Sequence, residues 1–321
     1  MKKIFVSILA VAVLASCSNE ETIDQVAPEA IGFDNVFVDN ATRTTDSSYS
    51  STNLPDSFLV YGTTQGDEQG APVVPIFDGV TVSKNGSGVY QYESAYTQYW
   101  IAGNFYNFAA LVNADAQKVT KADSMPSSVV YTADYTSGNT ADLLYATASA
   151  PGLATNNPTV GFTFNHLLSN VKFTVTNTMT TNVVGNIYEY VVTDIAINNA
   201  YTTGTCALAA KTWSDQTNAT KVVAFGNVEA VGVVGQTESA SSDYARLLIP
   251  ATYDQNSKLN VTFTLTTLLN GQSVNVENIN LTPTVTFEAG KAYNFVIEKG
   301  APGEEIKFTV TTVNGWVNGT I

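Results

Sequence analysis

Histidine, cysteine and charge are all scarce in this chain, and each shortage removes a class of chemistry. Its 321 residues include one histidine, His166, and two cysteines, Cys17 and Cys206. A single histidine cannot supply a two-histidine zinc site, and no Cys/His cluster stands in its place. No phosphate-binding glycine loop, dinucleotide fingerprint or nucleophile elbow is present. No cofactor is expected. Charged residues make up only 13% of the chain, against a usual quarter. Their balance is acidic, with a formal net charge of −14, which argues against nucleic acid and anionic lipid as partners. The carboxylate pairs Glu20/Glu21 and Glu304/Glu305 fall in tether and loop contexts and read as solvated charge. Two carboxylates facing each other across a sugar-binding cleft have no fixed spacing, so a glycoside hydrolase stays open as a distant alternative.

Helical patterning is scarce too. No long stretch repeats apolar residues at i, i+3, i+4 and i+7, as an amphipathic helix requires. Trp100–Val112 could hold one turn, and Gly103 argues against more. Period-two alternation is abundant instead. Val171, Phe173 and Val175 alternate with Lys172 and Thr174; Leu259, Val261, Phe263 and Leu265 alternate with Asn260, Thr262 and Thr264; Tyr293, Phe295 and Ile297 repeat the pattern. Lys84-Asn85-Gly86 and Asn270-Gly271-Gln272 punctuate these runs as turns. Apolar residues at 44% support a full core. Many short strands between turns predict an all-β chain, a sandwich or barrel. Asn156-Asn157-Pro158 offers a domain boundary, leaving two pieces of ordinary domain size.

No apolar run is long enough to span a bilayer, which takes about 20 residues. The N-terminus has Lys2 and Lys3, the short run Ile4–Val13 and then Leu14-Ala15-Ser16-Cys17, the layout of a bacterial export signal. Its last four residues resemble the lipobox, which implies cleavage between Ser16 and Cys17 and lipid on Cys17. The alternative is an ordinary signal peptide with a chance cysteine. Residues 1–16 are excluded from the fold on either reading. With Cys17 acylated, Cys206 has no partner for an internal disulfide. Its strand-like context, Thr205-Cys206-Ala207-Leu208, predicts a small buried hydrophobe rather than a nucleophile.

Five pieces carry a family resemblance. They are the lipobox with its acidic Ser18-Asn19-Glu20-Glu21 follow-on; the strand Ile31–Val38 ending in Ala41-Thr42-Arg43-Thr44-Thr45; Asp142-Leu143-Leu144-Tyr145-Ala146; Phe162-Thr163-Phe164-Asn165-His166-Leu167-Leu168-Ser169-Asn170-Val171-Lys172-Phe173; and Phe287-Glu288-Ala289-Gly290-Lys291-Ala292-Tyr293-Asn294-Phe295 with the closing Trp316-Val317-Asn318-Gly319. In this order they resemble the fimbrillins, lipoprotein precursors of donor-strand pili in Bacteroides-type bacteria.

The resemblance implies two transthyretin-like β-sandwich domains in tandem, and no enzyme. It divides the chain into a signal peptide (1–16), a lipidated tether with a removable first strand (17–43), and sandwiches over 44–158 and 159–321. It implies an outer-membrane lipoprotein precursor that becomes an extracellular pilus. Its partners would be other pilus subunits, chiefly copies of itself, an arginine-specific maturation protease, the outer membrane through the lipid, and a surface ligand of unknown identity. The chain has two arginines, and Arg43 is the expected processing point, with Thr44 the new N-terminus. It lies in a polar stretch of the kind proteases nick, although a solvated linker charge reads the same way. Arg246, within Tyr244–Pro250, is expected in a strand, paired with a carboxylate. Ile31, Phe33, Val36, Phe37 and Val38 are expected to fill the groove first. Ile306, Phe308 and Val310, within 304–321, are the candidate donor strand, or else a terminal strand packed in its own domain. His166 is expected to be structural. Asp123-Ser124-Met125 resembles a short O-glycosylation site of these bacteria. Besides the hydrolase, three alternatives stay open: an anchor subunit, a tip subunit, or a glycan-binding surface lipoprotein using the cluster Tyr90, Tyr92, Tyr96, Tyr99, Trp100, Phe105 and Tyr106.

Overall fold

A computed structural model describes residues 28–38, 53–136, 140–179, 185–217, 222–232 and 238–313. The first half of the chain forms β1 (Phe33–Val38), β2 (Ser57–Gln65), β3 (Val74–Lys84), β4 (Tyr90–Gln91), β5 (Phe105–Val112), β6 (Val119–Ala122), β7 (Met125–Thr132), β8 (Leu144–Pro151) and β9 (Val160–His166). The second half forms β10 (Ser169–Asn177), β11 (Tyr188–Ile197), β12 (Thr203–Ala207), β13 (Thr212–Thr217), β14 (Val223–Val231), β15 (Glu238–Ser241), β16 (Arg246–Leu248), β17 (Thr252–Tyr253), β18 (Val261–Leu269), β19 (Gln272–Leu281), β20 (Val285–Thr286), β21 (Ala292–Lys299) and β22 (Lys307–Val313). Two short 3-10 turns, Ser94–Tyr96 and Ala116–Lys118, are the helical content of the described residues. The protein is all-β.

Local chemistry accounts for most of these elements. Val171, Phe173 and Val175 face inward while Lys172, Thr174 and Thr176 stay partly wet, so β10 has one dry face. β18 alternates in the same way. Asn270 and Gly271 take positive φ of 50° and 75° and close the β18–β19 hairpin, a conformation in which asparagine and glycine meet little steric penalty. The Asn85 side chain accepts hydrogen bonds from the backbone N–H groups of Ser87 and Val89 (2.9 and 3.0 Å) and shapes the β3–β4 turn.

Seven strands form the first sheet in the order β1-β9-β8-β5-β2-β3-β4. Beyond it lie the sheets β15-β10-β21-β22, β14-β11-β18-β19, β13-β12-β7-β6 and the pair β17-β20. Two of the strand pairings are parallel, β1 with β9 and β10 with β21. The sheet of β6, β7, β12 and β13 draws strands from both sides of residue 158, and β9 belongs to the first sheet.

Buried side chains form two clusters. One fills the first sheet, from Ile31 and Phe33 to Phe162 and Phe164; the other joins the remaining sheets around Val171, Phe173, Phe225, Phe263 and Phe295. The clusters meet where β8 begins and β9 ends: Leu144 and Phe164 lie in the first, and the flanking Leu143, Leu167 and Leu168 in the second. At this junction the His166 ring bonds the Asp142 carboxylate through Nδ1 at 2.8 Å, both groups buried. The opposite end of the first sheet, where β1, β5 and β9 begin and β2 and β8 finish, is here termed its pole.

Candidate functional site

The site that the fold builds is the seat of β1. This edge strand pairs with β9 from Phe33 opposite Val160 to Val38 opposite Phe164. Between Phe33 and Val36 the register shifts, so β1 holds one residue more than the matching stretch of β9. The extra residue flips the alternation. Ile31 and Phe33 point inward before it, Val36 and Val38 after it, and all four are buried. Phe37, expected to fill the groove, lies on the opposite face and is 58% exposed. Regular period two would have brought Phe37, not Val36 and Val38, to the Phe33 side.

Phe33 is the centre of the seat. Its ring stacks on Phe162 (5.9 Å, 15°) and meets Phe77, Phe108 and Tyr92 edge-on at 5.4, 6.0 and 5.8 Å. The chain leading into β1 is clasped by the segment before β5: Ile31 N–H donates to the Gln98 carbonyl and Trp100 N–H to that of Glu29. The Tyr92 hydroxyl donates to the Ile31 carbonyl at 2.7 Å. Tyr92 and Phe77 were not marked as seat residues in the sequence. Tyr92 stood in the aromatic cluster, but only folding the sheet brings it to the far edge strand.

Cys17, Ser16, Arg43, Thr44 and the Trp316–Gly319 motif lie outside the described residues. Ile306, Phe308 and Val310 are half-buried along the chain's own second cluster. β22 pairs antiparallel with β21, placing Phe308 opposite Ile297 and Val310 opposite Phe295, and Phe308 stacks on Phe295 at 5.4 Å. It ends its sheet. The structure keeps the β1 residues and the β22 residues in different sheets.

Arg246 is buried in β16; its Nε donates to the Ala224 carbonyl at 2.8 Å and its guanidinium lies over the Tyr244 ring. Cys206 is buried opposite Trp213, and burial pushes its thiol up to about 12, far from a thiolate at neutral pH. Asp123 and Ser124 are the two central residues of the β6–β7 turn, both with positive φ (48° and 66°), and Asp123 is exposed. Of the aromatic cluster, Tyr90, Trp100 and Tyr106 are buried, with Trp100 edge-on to Tyr106 at 4.7 Å, while Tyr96, Tyr99 and Phe105 are exposed. A cavity of about 430 Å3 opens beside β13, lined by Lys211, Trp213, Gln216, Thr252, Phe287 and Glu288 among others. Among the described residues no group of three or more His, Cys, Asp or Glu side chains could hold a metal ion. No helix among them is long and apolar enough to cross a membrane.

Comparison with solved structures places the fold. A fimbrial protein from Bacteroides vulgatus superposes with a TM-score of 0.62 at 16% identity, over 90% of this chain and 99% of that one. A protein from Bacteroides ovatus, provisionally named a cell adhesion protein, gives 0.49 at 14% identity over 91% and 99%. At such identities the first likeness speaks for the fold alone. No curated protein matches the chain. The sequence profile of the fimbrillin-like family, however, matches residues 42–316. That span runs from just beyond β1 through all later strands, and the chain belongs to the fimbrillin-like family.

Proposed function

We propose that this chain is a structural subunit of a cell-surface fimbria, exported as a lipoprotein acylated at Cys17, cut between Arg43 and Thr44, and polymerised by strand exchange. The seat of β1 carries this reading. β1 is an edge strand, and together with Ile31 just before it supplies four buried side chains to the core of the first sheet. A cut at Arg43, shortly after Val38, would leave β1 held without a covalent link to the body. Four apolar side chains at about 1.5–3 kcal/mol each amount to roughly 6–12 kcal/mol before ordering costs. A strand of similar pattern could replace it at comparable energy.

Losing β1 uncovers Phe77, Tyr92, Phe108 and Phe162 together with the free edge of β9. An apolar slot beside an unpaired strand edge recruits another strand. β22, with Phe308 and Val310 on one face and Ile306 just before it, is the candidate donor. Its release would break the ladder with β21 and expose Phe295. On this scheme the protein sits first at the outer-membrane surface and then in an extracellular fibre. Its partners are further subunits and an arginine-specific protease, and it acts in adhesion rather than catalysis. The present position of β22 in its own sheet favours a second reading, an anchor or tip subunit whose last strand is never donated.

The test treats the purified full-length precursor with an arginine-specific protease and follows mass and SDS-resistant oligomers. A new N-terminus at Thr44 with a ladder of oligomers is the expected result, abolished by Arg43→Ala. An intact Arg43–Thr44 bond and a stable acylated monomer would overturn the stalk reading in favour of the anchor.

A further inference from the structure

At the pole of the first sheet four apolar side chains stand out of the surface: Tyr99, Ile101, Phe105 and Leu153, exposed by 48, 56, 58 and 45%. They come from three stretches that the backbone ties together. Gly103 N–H donates to the Gly152 carbonyl (3.1 Å) and Gly152 N–H to that of Asn104 (2.7 Å), and Phe105 stands opposite Pro151 across the β5–β8 ladder. The Ile101 N–H donates to the buried Tyr106 hydroxyl at 2.7 Å. A Cβ at residue 152 would collide with the Ile101 carbonyl, so glycine there lets the two loops close on each other. The apolar tips are thus mounted on fixed backbone. Isolated exposed hydrophobes need no explanation, whereas a contiguous group on a rigid frame does.

The N-terminal chain reaches this same group. Ala30 bridges to Tyr99, Trp100 N–H donates to the Glu29 carbonyl, and the Glu29 carboxylate accepts from Asn157, whose own side chain accepts from Leu153 N–H. The tether therefore emerges among these side chains. From Cys17 to Pro28 is about eleven residues, at most ~40 Å when fully extended. A lipid on Cys17 would thus hold the pole within ~40 Å of the bilayer.

We infer that the pole is a membrane-resting surface, on which the acylated precursor settles with Ile101, Phe105 and Leu153 at the headgroup boundary and the Tyr99 ring at the water line. This rests on the proposed acylation of Cys17. Aromatic side chains with one polar end suit that interface. The described stretches that build the patch, 28–31, 99–105 and 151–157, contain no Lys or Arg, and Glu29 and Asp67 border it. The contact is therefore apolar and tether-dependent, and it suits uncharged or zwitterionic headgroups better than anionic ones.

The test uses the full chain purified from cells with its acyl groups and reconstituted on phosphatidylcholine vesicles. Nitroxide labels are placed singly at Ile101→Cys, Leu153→Cys and, as a remote control on β19, Val274→Cys. Labels at 101 and 153 should become several-fold more accessible to oxygen than to a water-soluble nickel complex, while the label at 274 stays aqueous. Adding Ile101→Asp should return the 153 label to water. Equal aqueous accessibility at all three sites on floating, acylated protein would overturn the inference and leave the acylation standing. A Cys17 peptide without acyl mass sinks the acylation and the inference together. Protection of 101 and 153 without vesicles, with spin–spin broadening that grows with concentration, would assign the surface to a second copy of the chain instead.

Discussion

The ring of Phe33 meets that of Phe77 at 5.4 Å with their planes 67° apart, although β1 and β3 are separated by four strands in the sheet order. Such a contact requires the seven-stranded sheet to curl until its two margins share one core. The Tyr92 hydroxyl on the Ile31 carbonyl seals the same approach. β1 therefore closes a nearly complete barrel, and one small strand controls whether a large apolar interior is covered.

Phe33→Ala should destabilise the full-length chain by about 3–5 kcal/mol, the usual cost of emptying a buried aromatic site. Phe37→Ala, on the exposed face, should change stability by less than about 0.5 kcal/mol. Urea denaturation of both variants checks the pair. Equal losses would contradict the bulged register of β1.

Gly152→Ala should cost about 1–3 kcal/mol, because the methyl group must displace the Ile101 carbonyl from a tight loop contact. Gly86→Ala, where nothing lies within reach of the added carbon, serves as the matched control. Thermal melting of the two proteins separates a local clash from a general effect of replacing glycine.

His166→Ala should cost about 1–3 kcal/mol by removing the ring partner from the buried Asp142 carboxylate. The pair bridges the two hydrophobic clusters, so the variant should loosen their junction. Hydrogen exchange should rise at Leu143 and Leu167 before it rises at Phe173 and Phe295.

Alkaline pH should unfold the protein. Burial raises the Cys206 thiol from 9.0 and the Tyr190 phenol from 10.0, each to about 12, and raises the Tyr253 phenol as well. The folded state therefore holds these protons more tightly than the unfolded chain does. Their contribution is complete below about pH 9 and is lost as pH climbs from there through about 12. Denaturant midpoints should fall across that window, and Cys206→Ala should flatten the fall. At pH 8 the folded protein should leave a thiol reagent unreacted at Cys206.

How much of this was legible beforehand differs between strand and site. The alternation of Val171, Phe173 and Val175, the dry face of β18 and the Asn270-Gly271 turn were readable because each depends on neighbours only one or two residues away. Cys206 and His166 were readable as buried structural residues from their apolar contexts. The seat of β1 was only partly so. Ile31, Phe33, Val36 and Val38 were identified as core-forming, but Phe37 was grouped with them, since a bulge belongs to the pairing of two strands and not to either one. Arg246 was readable as a strand residue, and it lies buried in β16, where its Nε donates to the Ala224 carbonyl and its guanidinium lies over the Tyr244 ring.

By itself, then, the sequence determined an all-β chain, its turns and its membership of a family, because side-chain period and turn chemistry are local. Only the tertiary structure decided that β1 lies parallel to β9, that Phe33 reaches Phe77 and Tyr92, that β22 rests on β21, and that Tyr99, Ile101, Phe105 and Leu153 share one pole. Each of those facts depends on which distant segments pair and in what register. Backbone hydrogen bonding is the same for every candidate partner, so that choice falls to the packing of the whole core.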